Sequence, residues 1–352
     1  MHILYVIEKM SGVGGMERIF ADKINWLARQ EDIKVTLLLV WKDQQRPVFD
    51  IDSRVHIEHI DAQMVKGGLT YPIVVWRYNQ LVKRLKPDVT VLSWVIGAML
   101  ATFGKHVGKT IFELHHSAAT MKHAWLLRTL QRRTDVVVTL TPEDAQFFTQ
   151  AQQVEVIPNF TTIGSNKQPD YDTKRCVALG RLVPAKDYPR MVRLWKEAVK
   201  EHQDWQLDIY GDGPESEHVR QCIEEAQMND KILLHGNTND VTKAYSEASI
   251  YMMTSHTEGF PMVLLEAMTI GLPVVAFDCP YGPRNIIQNG VNGLLIALND
   301  DKAYVSALTL LMDNAERRRL MGEKAREMAQ RFSCETIMQR WMDLFNTLVN
   351  DK

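Results

Sequence analysis

The chain has 352 residues, of which 45% are apolar, and a formal net charge of -2 at neutral pH. This length and composition allow a sizeable buried core and predict about two domains, and the charge argues against a nucleic-acid binder. Four cysteines without paired spacing fit neither a disulfide framework nor a zinc site, which favours a reducing cytoplasm. No apolar run approaches the roughly 20 residues that span a bilayer, so we expect a soluble protein.

The first half of the chain alternates short apolar runs with stretches long enough for a helix. The runs are HILYVI, IKVTLLLVW, DVTVLS, KTIFELH, DVVVTLT and VEVIPN. This rhythm predicts repeated strands and helices that form a mostly parallel sheet. It stops at residues 157–174, a polar stretch with two prolines, where we expect a linker.

The same rhythm restarts after the linker and predicts a second doubly wound domain. Its apolar runs are RCVALGRL, WQLDIYGDG, KILLHGN, ASIYMMTS, LPVVAF and GLLIAL. In the tail, apolar residues recur at helical spacing and indicate a helix with one buried face. They are Ile337, Trp341, Leu344, Phe345 and Leu348.

Three glycines follow the first predicted strand, in KMSGVGGMERIF. Gly12, Gly14 and Gly15 would let the backbone approach a ligand before a helix begins near Met16. The turn resembles a phosphate-binding turn, but Glu17 stands where the dinucleotide fingerprint needs its third glycine. A plain tight turn is the alternative.

Two cations follow a strand in VALGRLVPAKDYPRMV, where Arg181 and Lys186 stand five positions apart. An arginine fork and a lysine point charge on one loop suit a diphosphate. Exposed surface cations are the alternative.

Two acids stand eight positions apart in HTEGFPMVLLEAM. Because Gly259 and Pro261 cannot lie inside a regular helix, Glu258 is predicted in a loop and Glu266 in the helix that follows. Ligands of parallel α/β units bind beyond the carboxyl ends of strands, so both acids are expected to face one crevice. The alternative is a solvated loop acid and a helix acid favoured by the helix dipole.

These stretches together carry a family resemblance. GGMER, LGRLVPAKDYPRMV, YGDGPE, SHTEGFPMVLLEAM and YGPRNIIQNGVNGLLI resemble the motif set of family 4 of the retaining glycosyltransferases. The resemblance implies the GT-B fold, in which two doubly wound Rossmann-like α/β domains face a cleft and a C-terminal helix crosses back to the first. It divides the chain into an acceptor-binding domain at 1–165, a nucleotide-sugar-binding domain at 166–330 and the crossing helix at 331–352.

The resemblance also implies roles for individual residues. Glu258 would face the hydroxyls of the donor sugar, and Glu266 the ribose hydroxyls of the nucleotide. Arg181 and Lys186 would neutralise the diphosphate leaving group. Further donor contacts would come from Gly14, Gly15, Thr238, Gly259, Phe260, Pro261, Met262 and Val263.

A histidine pair ends a predicted strand in FELHHSAATMKHAWLL. Neighbouring strand residues point to opposite sides, so one of His115 and His116 is expected at the site. The resemblance favours His115 as a catalytic residue near sugar and acceptor, with His116 kept as a binding candidate. A structural histidine is the alternative.

No metal or other cofactor is expected. Asp50 and Asp52 have a manganese-binding spacing, but they precede VHIEHI in a predicted turn rather than follow a strand beside a nucleotide. Two stretches, YPIVVWRYNQLVKRLK and HAWLLRTLQRR, mix apolar and basic residues as interfacial helices do. Peripheral contact with the inner membrane is therefore one interpretation, and ordinary sheet-covering helices are the favoured one.

The combined expectation is a cytoplasmic, metal-independent glycosyltransferase of bacterial surface polysaccharide or glycoconjugate synthesis. It would move a sugar from a nucleotide diphosphate sugar, UDP-linked by preference, to a saccharide or lipid-linked acceptor. The alternatives are a UDP-sugar 2-epimerase of the same fold, a nicotinamide-dependent oxidoreductase and a partner subunit without turnover.

Overall fold

A computed structural model describes residues 1–12, 15–41, 47–63, 70–115, 117–120, 124–164 and 167–350. The chain folds as two compact units. Unit 1 comprises Met1–Phe160 together with Cys334–Lys352, and unit 2 comprises Thr161–Ser333. Gly14 and His116, both predicted site residues, lie outside the described residues.

Unit 1 is built on a parallel sheet, which in the described residues has seven strands in the order β3-β2-β1-β4-β5-β6-β7. The strands are β1 (His2–Ile7), β2 (Lys34–Trp41), β3 (His56–Ala62), β4 (Val89–Ser93), β5 (Lys109–Glu113), β6 (Val136–Thr139) and β7 (Val154–Val156). The helices between them are α1 (Gly15–Ala28), α2 (Tyr71–Leu85), α3 (Trp94–Phe103), α4 (Ala124–Leu130) and α5 (Pro142–Ala145).

The central strands of unit 1 are buried on both faces. Every residue of β4 is buried, and so is all of β1 after His2. This explains why their sequences are continuous apolar runs rather than alternating ones, since helices cover both faces of a parallel sheet.

Unit 2 repeats the plan, with described strands in the order β10-β9-β8-β11-β12-β13, all parallel. They are β8 (Arg175–Leu179), β9 (Gln206–Tyr210), β10 (Ile232–Gly236), β11 (Ile250–Met253), β12 (Val274–Asp278) and β13 (Leu294–Ala297). The helices are α6 (Tyr188–Ala198), α7 (Ser216–Glu225), α8 (Val241–Ser246), α9 (Met262–Ile270), α10 (Pro283–Ile286), α11 (Asp301–Met312) and α12 (Ala315–Ala329). The prediction of two doubly wound α/β halves is confirmed.

The last helix, α13 (Cys334–Asn350), belongs to unit 1 although it follows unit 2 in the chain. Its predicted apolar face is buried in the core that also holds Ile3, Tyr5 and Ile7 of β1. The helical spacing of the apolar residues in the tail therefore identified the face of α13 that packs into the core of unit 1.

Each sheet reverses its strand order at one point, between β1 and β4 in unit 1 and between β8 and β11 in unit 2. At such a point the loops leave neighbouring strands toward opposite faces of the sheet and open a crevice at its carboxyl edge. The glycine turn follows β1, and the stretches containing Arg181 and Glu258 follow β8 and β11. The topology thus places the sequence motifs at the two reversal points.

Candidate functional site

The loops after β8 and β11 in unit 2 contact each other directly. The Thr254 hydroxyl lies 3.0 Å from the carbonyl oxygens of both Lys186 and Asp187. The backbone N–H of His256 donates to the carbonyl of Ala185 at 2.8 Å. The β11 loop therefore fixes the turn of the β8 loop that carries Lys186.

An ion pair joins these two loops. Lys186 Nζ lies 2.7 Å from Glu258 Oε1, and the two side chains are 20% and 9% exposed. The Glu258 backbone N–H donates to the carbonyl of Pro280 at 3.2 Å, which ties the loop after β12 to the same place. The structure thus brings together a cation and an acid that the sequence places 72 residues apart.

Arg181 lies on the same β8 loop with its side chain exposed. Within the described part of the chain, no carboxylate pairs with its guanidinium. A guanidinium fork without an internal partner can bind an external anion bidentately.

Glycines let the surrounding turns pack closely. A Cβ on Gly211, after β9, would lie 1.9 Å from the Gly180 carbonyl oxygen after β8. A Cβ on Gly282, where φ is +100°, would lie 2.4 Å from Cδ of Pro261. Both positions exclude a side chain, so the backbone itself forms the wall of the site.

The second acid is held differently from the first. Glu266 lies in α9, as predicted, and is nearly buried. The hydroxyl of Tyr245, on α8, is 3.1 Å from both Glu266 Oε2 and the Val263 carbonyl oxygen. Burial and the nearby Glu266 raise the pKa of Tyr245 well above its ordinary value, so the phenol remains a neutral donor.

The loop between the acids contributes backbone more than side chains. Phe260 is buried with its ring 5.7 Å from that of Phe332. Met262 and Val263 begin α9, and the first turn of a helix has N–H groups without intrahelical acceptors. Gly259, Phe260 and Pro261 lead into this turn, which suits an anion.

Thr238 makes a hydrogen bond within its own turn. It follows β10, and its hydroxyl accepts a hydrogen bond from the Asp240 N–H at 3.1 Å, at the start of α8. The structure therefore gives it a local turn contact, and its donor role stays a prediction.

The thiol of Cys279 lies near the Lys186–Glu258 ion pair but is unreactive. Burial, together with the neighbouring Glu258, raises the pKa of the Cys279 thiol to about 12. Because the thiolate is the reactive form, Cys279 is inert at neutral pH.

Comparison with known proteins identifies the family. The model of glycosyl transferases group 1 matches residues 159–328, and that of glycosyltransferase family 4 matches residues 13–163. The chain belongs to glycosyltransferase family 4. It is therefore a transferase, and the comparisons do not favour an epimerase or an oxidoreductase.

Two curated relatives align with this glycosyltransferase over nearly their whole length. An uncharacterized glycosyltransferase of Haemophilus influenzae is 27% identical over 96% of the chain and 98% of its own. The amylovoran biosynthesis glycosyltransferase AmsD of Erwinia amylovora is 26% identical over 98% of the chain and 99% of its own. HepE of Anabaena, solved in complex with UDP, is 19% identical with a TM-score of 0.79, covering 99% of the chain and 100% of its own.

Two predicted site residues of unit 1, Gly15 and His115, are among the described residues. Gly15 begins α1 and is exposed. His115 follows β5 with a side chain only 1% exposed, and its Nε2 lies 3.3 Å from Glu113 Oε1. His115 is thus a buried residue with an acidic neighbour, an environment that the sequence pattern did not indicate.

Asp52, one of the discounted metal candidates, is engaged by arginine. Its carboxylate accepts from Arg54 at 2.7 and 2.9 Å, and Arg29 lies 3.7 Å away. Hydrogen bonds from Arg54 lower the pKa of Asp52 below its ordinary value. In the described residues, no group of three or more His, Cys, Asp or Glu side chains could hold a metal ion.

Several contacts around these residues were not predicted from the sequence. Tyr245 beside Glu266 and the Thr254 hydroxyl beside the Lys186 carbonyl each join residues that are far apart in the chain. No short motif connects such pairs. Only the strand order, which sets which loops meet, could have revealed them.

Proposed function

We propose that this glycosyltransferase transfers a sugar from a UDP-sugar to a hydroxyl of a saccharide or lipid-linked acceptor, with retention of configuration. The bond between the anomeric carbon and the diphosphate oxygen breaks, and UDP leaves with the electron pair. A bond forms between that carbon and the acceptor oxygen, whose proton passes to the departing phosphate. Bacterial surface polysaccharide or glycoconjugate synthesis is the proposed setting.

The observation that carries the proposal is the pairing of Lys186 with Glu258 at the reversal point of unit 2. Negative charge grows on the diphosphate as the sugar departs, so cations fixed there stabilise the transition state more than the ground state. Lys186 and the unpaired fork of Arg181 supply that charge. The loops around them are fixed by backbone hydrogen bonds, so little reorganisation is needed.

The two acids divide the donor between them. Glu258, on a loop, is proposed to accept hydrogen bonds from hydroxyls of the sugar. Glu266, on α9 and beside Tyr245, is proposed to accept them from the ribose. The N–H groups of the first turn of α9 then face the phosphates.

UDP is the proposed nucleotide. HepE, which shares the fold, was solved with UDP, and that supports UDP as the first nucleotide to test. A screen for UDP or GDP release from UDP-glucose, UDP-galactose, UDP-N-acetylglucosamine and GDP-mannose tests the choice. Release from one UDP-sugar supports the proposal, and release from GDP-mannose alone would contradict it.

Metal independence is also proposed, because Arg181 and Lys186 can neutralise the diphosphate without a divalent cation. Turnover of the preferred donor should survive excess EDTA. A strict requirement for manganese would contradict this part of the proposal.

We further propose that the protein works on the cytoplasmic face of the inner membrane, which it contacts through unit 1. Among the described helices, none has both the length and the apolar composition of a transmembrane span. Instead α2, α3 and α4 border a groove of about 710 Å³. Its lining is almost entirely apolar and consists of Tyr71, Pro72, Val75, Val95, Met99, Phe103, Trp125 and Leu126.

The helices that line this groove have the composition of an interfacial surface. Trp76 and Trp125 are 61% and 54% exposed, and Ile73 is 51% exposed. The helices α2, α3 and α4 contain four basic residues and no Asp or Glu. Tryptophan beside basic residues suits the headgroup region of an anionic bilayer. The buried face of α2 fits the favoured interpretation of a sheet-covering helix, and its exposed face is the one that we propose meets the bilayer.

Vesicle sedimentation tests the membrane contact. The protein should sediment with vesicles containing phosphatidylglycerol, and Trp76→Ser with Trp125→Ser should reduce the bound fraction several-fold. Leu320→Ser is the matched control, since Leu320 is an equally exposed apolar residue of unit 2. Equal vesicle binding by the double tryptophan variant and the Leu320→Ser control would show that α2 and α4 do not contact the membrane.

A further inference from the structure

An ion pair is buried inside unit 1. Lys23 of α1 contacts Glu113 Oε1 at the end of β5, and the two side chains are 2% and 1% exposed. The ammonium also lies 4.1 Å from the centroid of the Trp341 ring on α13. Three separate segments of the chain therefore enclose one pair of charges.

Burying such an ion pair in a core costs free energy. Removing two charges from water costs several kcal/mol for each ion, and well-packed apolar residues of similar volume are often as stable or more so. The surrounding core is apolar, with Tyr5 and Phe20 nearby. Stability alone gives no reason for charges at this place.

The pair has a third member that supplies a reason. Nε2 of His115 lies 3.3 Å from the same Glu113 oxygen that Lys23 contacts. The imidazole packs against Phe20 with ring centroids 4.6 Å apart. Within the described chain, both ring nitrogens of His115 are buried and neither makes a hydrogen bond of regular geometry. Because the Glu113 carboxylate lies 3.3 Å from Nε2 and no acceptor faces Nδ1 in the described chain, the charge of Glu113 favours the proton on Nε2 and a lone pair on Nδ1.

Lys23 determines whether Glu113 can act in this way. Burial raises the pKa of Glu113, but Lys23 and His115 outweigh burial and lower the pKa to about 2. Glu113 is thus an ionised acceptor at neutral pH. A protonated carboxyl could donate to the ring instead and would favour the opposite tautomer.

We propose that Lys23 and Glu113 are positioning residues that hold His115 with its proton on Nε2, so that Nδ1 accepts a hydrogen bond from a sugar hydroxyl. This inference rests on the proposed function and on the place near sugar and acceptor that the family resemblance implies for His115. Lys23 acts through Glu113, and Glu113 acts through His115. Neither touches the substrate.

Kinetics of three variants separate positioning from a purely structural role. Lys23→Met and Glu113→Gln should each lower the melting temperature and reduce kcat about a hundred-fold, the scale of a misplaced catalytic group. The double variant should regain melting temperature because no charge is left unpaired, while kcat stays low. Recovery of both in the double variant would overturn the proposal.

Two controls keep the result specific. Lys109→Met removes a partly exposed lysine from the other end of β5 and should leave kcat unchanged. The affinity for UDP should be unchanged in all variants, because the side chains proposed to bind UDP, those of Arg181, Lys186 and Glu266, belong to unit 2. A fall in UDP affinity equal to the fall in kcat would contradict a role acting through His115.

A spectroscopic test does not depend on activity. In protein labelled with ¹⁵N-histidine, and with His115→Gln used for assignment, His115 should show a protonated Nε2 and a bare Nδ1. Glu113→Gln should populate the second tautomer. The opposite tautomer in the wild type would overturn the positioning proposal, whereas absence of any turnover with nucleotide sugars would overturn only the proposed function.

Discussion

Each unit contains a lysine and glutamate pair near the carboxyl edge of its sheet, and the two pairs differ in their supports. Lys186 and Glu258 lie on loops and stay partly exposed, at 20% and 9%. Lys23 and Glu113 lie on a helix and at a strand end, at 2% and 1%. A loop pair can open when a ligand offers better partners, whereas a pair enclosed by helices and strands fixes the local charge.

The contrast shows why similar chemistry serves two purposes. In unit 2, Lys186 and Glu258 are proposed to separate and to bind the diphosphate and the sugar hydroxyls of the donor. This requires that the donor can reach both side chains. In unit 1 the pair is proposed never to meet substrate, and its isolation from water preserves its effect on His115. Substitutions that treat the two pairs alike can test this difference.

The largest expected effect is on stability in unit 1. Lys23→Met leaves Glu113 charged, buried and unpaired, which should cost about 3–5 kcal/mol of unfolding free energy. Lys186→Met should cost about 1 kcal/mol, because water reaches Glu258. Urea unfolding followed by hydrogen exchange of peptides from each unit measures both. Equal losses of unfolding free energy in the two variants would contradict the proposed difference between the two ion pairs.

The second largest expected effect is on turnover. Here substitutions in unit 2 should have the larger effect, because Lys186 and Arg181 are proposed to bind the donor. Lys186→Met should reduce kcat about a hundred- to a thousand-fold, as expected for loss of one preorganised charge. Arg181→Ala should do the same, and Arg181→Lys should rescue it only partly because a point charge lacks the planar fork. The control is Lys200→Met, which removes an exposed lysine paired with Glu197. Near wild-type turnover in folded Arg181→Ala would remove the diphosphate assignment.

A third comparison separates the two acids of unit 2. Glu258→Gln should abolish most turnover and spare UDP affinity, because this acid is assigned to the sugar. Glu266→Ala should weaken UDP binding by about 1.5–3 kcal/mol, and Tyr245→Phe by less, because the tyrosine only orients the acid. Isothermal calorimetry with UDP distinguishes these results. Unchanged affinity in Glu266→Ala would contradict the ribose assignment.

The smallest effect is a difference in acid stability. The ordinary pKa of a glutamate is 4.5 and that of Glu113 in the folded protein is about 2, so its stabilising contribution is present above pH 4.5. That contribution is lost as the pH falls toward 2. Between pH 5 and 3, wild-type stability should fall more than that of the Lys23→Met/Glu113→Gln double variant. Parallel curves would show that Glu113 does not titrate as proposed.

Features set by neighbouring residues could be predicted from the sequence. The apolar runs marked the strands, Gly259 and Pro261 marked the start of α9, and the spacing of Trp341 with its neighbours marked the buried face of α13. The residues of the donor motifs were also placed correctly relative to strands and helices. Local periodicity and turn chemistry determine all of these.

Features set by distant residues could not be predicted. Lys23 has the sequence context of a lysine on a helix surface, and only the sheet order brings it to Glu113, 90 residues away. Tyr245 reaches Glu266 in the same way, from a helix after an edge strand. Their burial depends on how helices pack over the sheet, for which one sequence has no short-range signal.

The membership of α13 in unit 1 has a consequence for synthesis. A ribosome completes all of unit 2 before it delivers Trp341 and the apolar face that covers β1 and encloses Lys23. Unit 2 can therefore fold as a continuous segment, whereas unit 1 must wait with part of its core exposed to water. The contacts of α13 with β1 are thus among the last of these two units to form, and the buried charges become isolated from solvent only after Trp341 has been added to the nascent chain.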